Sequence, residues 1–195
     1  MDISVSSGPV TRWTLFLRAP SSVLAWLAFA CSISTPAEAG MIASGRYGDH
    51  TCMIDGGLVR CWGDNSEGQL GSGSSNYSYR NSPVTVYGIG KATDVTSGAN
   101  HSCAIDDNVV KCWGSNLSGQ LGDGTKTSTN RPVAIRSILN PIALAAGDAH
   151  TCAIDAGSVK CWGSNSFGVL GDGTTTDRAT PGAVTGIANA TAIAA

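Results

Sequence analysis

The sequence predicts an all-β chain of tandem blade-like repeats, and three observations carry that prediction. Of 195 residues, 25 are glycine and only 13% are charged, a balance that favours short strands and tight turns over long helices. Three segments align with one another: His50-Thr51-Cys52 to Gly73, His101-Ser102-Cys103 to Gly124, and His150-Thr151-Cys152 to Gly173, starting 51 and then 49 residues apart. Each contains two short apolar runs around a turn signal. A period of about fifty residues specifies a propeller blade or a solenoid turn, because one such unit cannot bury its own apolar face.

The first segment of the chain lies outside every repeat. Arg12 and Arg18 precede an apolar run from Val23 to Ile33, and Ala37-Glu38-Ala39 follows before Gly40. That order predicts a secretory signal peptide over residues 1–39, cut after Ala39. The run falls well short of the roughly twenty apolar residues a membrane-spanning helix needs. A lipoprotein with Cys31 as the lipidated residue is the competing export reading, but Ala28-Phe29-Ala30 lacks the leucine usual three positions upstream.

Each repeat then opens on a hairpin. Cys52-Met53-Ile54-Asp55 and Leu58-Val59-Arg60-Cys61 flank Gly56-Gly57, a favoured pair for a two-residue turn. Centring the turn there opposes Cys52 and Cys61 at a non-hydrogen-bonded position, where side chains approach most closely. The same register opposes Cys103 with Cys112 around Asp107-Asn108, and Cys152 with Cys161 around Ala156-Gly157. Three cross-strand disulfides are therefore expected, which matches export to an oxidising compartment. Zinc ligation by His50, Cys52 and Cys61 is the alternative, and it lacks the close Cys-x-x-Cys knuckle such sites use. Ile54 and Val59, Ile105 and Val110, and Ile154 and Val159 share the cysteine face by period two, so that face should be buried between blades.

After the hairpin come Cys-Trp-Gly at 61–63, 112–114 and 161–163, then Asn65, Asn116 or Asn165, then Gly-Gln-Leu-Gly at 68–71 and 119–122. In the third repeat Val169 replaces the glutamine, and Ser72 stands where the other copies have Asp123 and Asp172. These motifs resemble the regulator of chromosome condensation repeat family, in the cysteine-bearing form of exported bacterial proteins. The resemblance implies an all-β fold of β-propeller blades, each of four antiparallel strands, with seven blades to a ring. About three blades fall in this chain: repeats over 40–92, 93–142 and 143–190, with 191–195 as the start of a truncated fourth. Since propellers close with four to eight blades, an incomplete seven-bladed propeller is expected, with self-association into a ring as the lesser alternative.

Function is expected where the repeats differ. His50, His101 and His150 occupy one repeated position and read as structural imidazoles hydrogen-bonded within each blade, rather than as a catalytic constellation. Trp62, Trp113 and Trp162 read as blade packing. Asp123-Gly124 and Asp172-Gly173 read as turns, since calcium's alternating acidic loop is missing. No catalytic, cofactor or metal residue is expected. The Asn-x-Ser/Thr matches at Asn76, Asn100, Asn116 and Asn189 are short enough to arise by chance. A formal net charge of −2 without a block of lysine or arginine argues against a nucleic-acid partner. The candidate partner-binding residues are Arg46 and Tyr47, in a two-residue insertion before His50, and Tyr77, Tyr79 and Arg80 in the loop from Ser74 to Asn81, with Arg131 and Arg178 as counterparts of Arg80. Tyrosine and arginine are enriched at binding hot spots. The expected function is an exported, non-enzymatic module that binds an unidentified protein, placed in the periplasm, at the cell surface or outside the cell. The resemblance also implies two alternatives: guanine nucleotide exchange on a small GTPase, and secreted enzyme inhibition of the β-lactamase inhibitory protein type.

Overall fold

A computed structural model describes residues 41–45, 47–74 and 76–195, all within one compact unit. The expected signal peptide, Cys31 and Arg46 lie outside the described residues. Twelve strands run through them: β1 (Ile42–Ser44), β2 (His50–Asp55), β3 (Leu58–Gly63), β4 (Arg80–Thr85), β5 (Ala92–Ser97), β6 (His101–Asp106), β7 (Val109–Gly114), β8 (Thr129–Ile135), β9 (Pro141–Ala146), β10 (His150–Asp155), β11 (Ser158–Gly163) and β12 (Arg178–Ala188). They form three four-stranded antiparallel sheets, β1-β2-β3-β4, β5-β6-β7-β8 and β9-β10-β11-β12. Each sheet is one blade, and the all-β reading holds: no described residue is helical.

The central hairpin of each blade follows from its turn residues. Gly56-Gly57, Asp107-Asn108 and Ala156-Gly157 all take positive φ, between 50° and 86°, the backbone a two-residue turn demands if it is to match the twist of its strands. The register that results pairs Cys52 with Cys61, Cys103 with Cys112 and Cys152 with Cys161. Their Cα atoms stand 4.1 Å apart and each pair is bonded. The outer strands β4, β8 and β12 carry Pro83, Pro132 and Pro181. A strand with only one hydrogen-bonded neighbour tolerates a residue that has no N–H.

The core sits between blades rather than inside one. Trp113 and Ala104 of the second blade pack with Cys52, Val59, Cys61 and Leu70 of the first. Trp162 and Ala153 of the third repeat the arrangement on Cys103, Val110, Cys112 and Leu121 of the second. Both faces of the middle blade are thereby covered, and every residue of β6 is buried. The strands β1, β5 and β9 neighbour one another at the inner edge. Asp94 Oδ2 accepts from the Leu144 N–H at 2.7 Å and Thr96 Oγ1 from the Ala146 N–H at 3.0 Å, tying two inner strands together. The meander places the β1–β2 and β3–β4 loops of a blade at one end and its hairpin turn at the other.

Candidate functional site

At each blade junction a histidine, a hydroxyl, an indole and one main-chain carbonyl meet. Trp113 Nε1 donates to the Gln69 carbonyl at 2.8 Å, and Ser102 Oγ donates to the same oxygen at 3.2 Å. With its proton so committed, Ser102 Oγ accepts from His50 Nε2 at 2.8 Å; the tautomer follows from the network. The next junction repeats this, with Trp162 Nε1 and Thr151 Oγ1 donating to the Gln120 carbonyl, both at 2.9 Å, and His101 Nε2 donating to Thr151 Oγ1 at 2.9 Å. The bonds run between blades, which corrects the expectation of histidine bonds within each blade: the imidazole lies on the face covered by its neighbour. Nδ1 of His50 and of His101 is buried with no partner, so a second ring proton has nowhere to go. Burial lowers the His50 pKa to about 4 against the opposing pull of Asp64 and Asp49. His101 is held at about 3 by burial, and by the neighbouring His50 and His150. Neutral, and engaged through Nε2 across the blade junction, these imidazoles hold neighbouring blades together.

The other candidate ligands are committed in the same way. The zinc reading would need Cys52 and Cys61 as thiolates, and both are disulfide-bonded. Among the described residues no group of three or more histidine, cysteine or acidic side chains is placed to hold a metal ion. Asp123 Oδ1 accepts from the N–H and Oγ1 of Thr125 at 2.9 and 2.8 Å, and Asp172 Oδ1 does the same for Thr174 at 3.0 and 2.7 Å. These aspartates close turns. Buried Asn116 and Asn165 fasten each turn from beneath, through Nδ2 to Thr125 and Thr127 and to Thr174 and Thr176. The first blade has Ser72 in place of the aspartate, and its loop is held by the bond from Asn65 Nδ2 to the Asn76 carbonyl, 2.9 Å.

That loop is also the longest of the three. Gly63 pairs with Arg80, Gly114 with Thr129 and Gly163 with Arg178, so the first blade has two extra residues between the paired positions. A second two-residue insertion, the one holding Tyr47, separates β1 from β2: Ser44 pairs with Thr51, where Ser97 pairs with Ser102 and Ala146 with Thr151. Both insertions fall at the same end of the first blade. Tyr79 is 75% exposed and Tyr77 48%. Arg80 Nη1 donates to the Ser78 and Tyr79 carbonyls and shapes the loop. Tyr47 sits apart from them, beside Ser44, Asp148 and His150 around a cavity of about 380 Å³ near the inner edge. The sheet order puts two strand spacings, about 10 Å, between the two loops. One alignment needs correcting: the register makes Thr129, not Arg131, the counterpart of Arg80. Arg131 lies instead over the Tyr87 ring, 4.7 Å from its centroid. Sequence reasoning missed Tyr87, because its one signal is an aromatic residue just after a strand where the third blade has Thr185.

These features define the class: an array of disulfide-pinned β-propeller blades keyed together by tryptophan and histidine. The regulator of chromosome condensation (RCC1) repeat matches residues 56–105 and 109–154, and a second description of the same repeat matches 142–169. The chain belongs to that family. It is 33% identical over 94 residues to zebrafish protein RCC2 homolog, covering 46% of this chain and 19% of that protein. It is 37% identical over 76 residues to human E3 ubiquitin-protein ligase HERC2, covering 37% of this chain and 2% of that one. Among solved structures, human WBSCR16 aligns over 74% of this chain and 39% of its own, with a TM-score of 0.66 at 24% identity. Yeast RCC1 (Prp20), solved bound to Kap60, aligns over 80% and 39%, with a TM-score of 0.66 at 22% identity. At such identities the structural likeness speaks to the fold. The chain spans about a fifth or less of these two curated relatives and two fifths of the solved propellers.

Proposed function

We propose that this chain is an exported, non-enzymatic protein-interaction module, with the loop from Ser74 to Arg80 as its principal contact. The observation that carries this reading is the commitment of the repeated polar residues. His50, His101, the six paired cysteines, Asn116, Asn165, Asp123 and Asp172 are all used in holding blades and turns together. What differs between blades is the longer first loop with its exposed tyrosines. Loops on a rigid scaffold are where recognition resides. The disulfides support export, since such bonds persist in oxidising compartments. The test is affinity capture from a periplasmic or culture-supernatant fraction, comparing the wild-type chain with Tyr77→Ala/Tyr79→Ala. Loss of a specific partner with an unchanged melting temperature is expected; identical capture by both chains would refute the role of the loop.

A second reading is guanine nucleotide exchange on a small GTPase. It draws on yeast Prp20p, a structural neighbour at 23% identity whose structure was described together with its binding to Gsp1p and histones. A nucleotide-release assay separates the two: release unchanged by the added chain is expected, and acceleration would favour exchange. We further infer that these blades work beside others of the same type, on one polypeptide or between copies. Trp62 is only half-buried while Trp113 and Trp162 are fully covered. Val169 is 46% exposed where Gln69 and Gln120 are buried.

A further inference from the structure

We propose that the outer rim of the first two blades binds an acidic polypeptide segment. This rests on the protein-interaction reading above and adds the chemistry of the partner. Of the nine lysines and arginines among the described residues, five pair with aspartates: Arg60, Lys91, Lys111, Lys160 and Arg178. The four without an ion pair are Arg80, Lys126, Arg131 and Arg136. All four lie on β4, β8 or the segments that flank these two outer strands. The sequence there is free of acid: residues 73–93 and 124–147 contain no aspartate or glutamate. In a chain of net charge −2, this segregation sets a cationic strip against a remainder in which acids outnumber bases.

The strip is continuous across the blade junction. The Gly73 N–H donates to the Asn130 carbonyl at 2.9 Å, and Asn130 Nδ2 donates to the Ser74 carbonyl at 2.8 Å, so the first blade's long loop is fastened to the second blade's outer strand. Arg131 follows Asn130 directly and lies over the Tyr87 ring, while Lys126 lies five residues before it in the adjoining loop. Tyr77, Tyr79 and Tyr87 are 48%, 75% and 56% exposed. A guanidinium centred over a tyrosine ring still has N–H donors to offer a carboxylate. Cations interleaved with rigid aromatic rings favour a polypeptide that brings both carboxylates and apolar side chains. Nucleic acid fits less well, because four cations on a net-negative chain give few phosphate contacts and little long-range attraction.

Fluorescence anisotropy of a labelled, glutamate-rich peptide containing phenylalanine, titrated with the disulfide-bonded chain, tests this. Binding is expected to weaken steadily as salt rises from about 50 to 300 mM, as screening of exposed charges requires. Arg80→Gln/Lys126→Gln/Arg131→Gln should lose about tenfold or more in affinity, the sum of several modest surface pairs. Lys91→Gln, whose partner is Asp107, should bind as the wild type does. Retained near-ultraviolet circular dichroism establishes that each variant is folded; should the triple variant fail that check, Lys126→Gln/Arg131→Gln is read instead. Equal binding by the charge-depleted chain overturns the proposal, as does tighter binding to a DNA oligonucleotide or to anionic phosphatidylglycerol vesicles. If Tyr77→Ala/Tyr79→Ala abolishes partner capture while the acidic peptide does not bind, the interaction reading stands and this inference falls.

Discussion

His101 is buried beneath a neighbouring blade with one nitrogen donating to Thr151 and the other facing no partner. Protonation therefore has a cost that the unfolded chain does not bear. With folded-state values of about 4 for His50 and about 3 for His101 against an ordinary value of 6.5, the unfolded chain takes up protons first as pH drops below about 6.5. Stability is present in full above that point and is lost progressively as pH falls toward the folded values. Each histidine contributes a few kcal/mol over the whole range, at 1.36 kcal/mol per unit. Urea midpoints should accordingly fall between about pH 7 and pH 4.5, and His101→Gln should flatten the dependence. A pH-independent midpoint over that range would contradict the assignment. One carboxylate acts in the opposite sense: burial raises the Asp94 pKa above its ordinary value, so its protonation offsets part of the loss as pH falls. Burial raises Asp106 and Asp155, but the lysine hydrogen bonds from Lys111 and Lys160, together with the main-chain N–H groups of Gly90 and Lys91 and of Leu139 and Asn140, outweigh it and hold both below 3.8, so their contribution disappears only in stronger acid.

At the scale of one element, the glycine at the end of Gly-Gln-Leu-Gly is fixed by its neighbour. Gly71 and Gly122 have φ of 63° and 75°, and a Cβ on either would come within 2.6 Å of the Nε1 of Trp113 or Trp162. Gly122→Ala should destabilise by roughly 1–3 kcal/mol through overpacking, with added strain from the positive φ. Thermal melts would show it, and a change in melting temperature no larger than that of Gly173→Ala, whose Cβ meets nothing, would count against the packing account. Replacing Cys103 and Cys112 together by alanine should remove roughly 2–3 kcal/mol, as expected for a bridge closing a short loop. Reductant should then lower the melting temperature of the wild type more than that of the variant. The hairpins were legible in the sequence because their partners are nine residues apart and the turn residues set the register. The His50–Ser102 bond was not, because it spans 52 residues and a residue repeated once per blade points equally to its own blade or the next. Arg131 was misaligned for a related reason: the two extra residues in the first loop shift the match, and only strand pairing restores it.

On the scale of the whole molecule, the three blades present unlike ends. Trp62 presents a half-buried indole on one side, and on the other Gly171 stands at the repeat position that, as Gly71 and Gly122, meets the indole of the following blade. The two ends are complementary by the same chemistry as the internal junctions. Light scattering after gel filtration should show association that strengthens with concentration, and Trp62→Arg should suppress it without unfolding the chain. A well-folded wild-type monomer at every concentration would oppose the inference that these blades work beside others. The repeated His-x-Cys announced the central hairpin of each blade in the sequence, but the burial of both faces of β6 was not evident there, since it depends on two neighbours at once.

The acceptor at each junction has a consequence for how such chains change over generations. Trp113 and Trp162 bond to the main-chain oxygen of Gln69 and Gln120, which every residue type supplies, so the tryptophan bond itself does not need the glutamine side chain. Val169 in the third copy leaves the same oxygen in place. Blades are therefore interchangeable parts: duplicating or deleting residues 93–141 in the gene would leave a coherent joint at the seam. Recombination can lengthen or shorten the array in whole units while a single loop, freed of its aspartate turn, diversifies on its own.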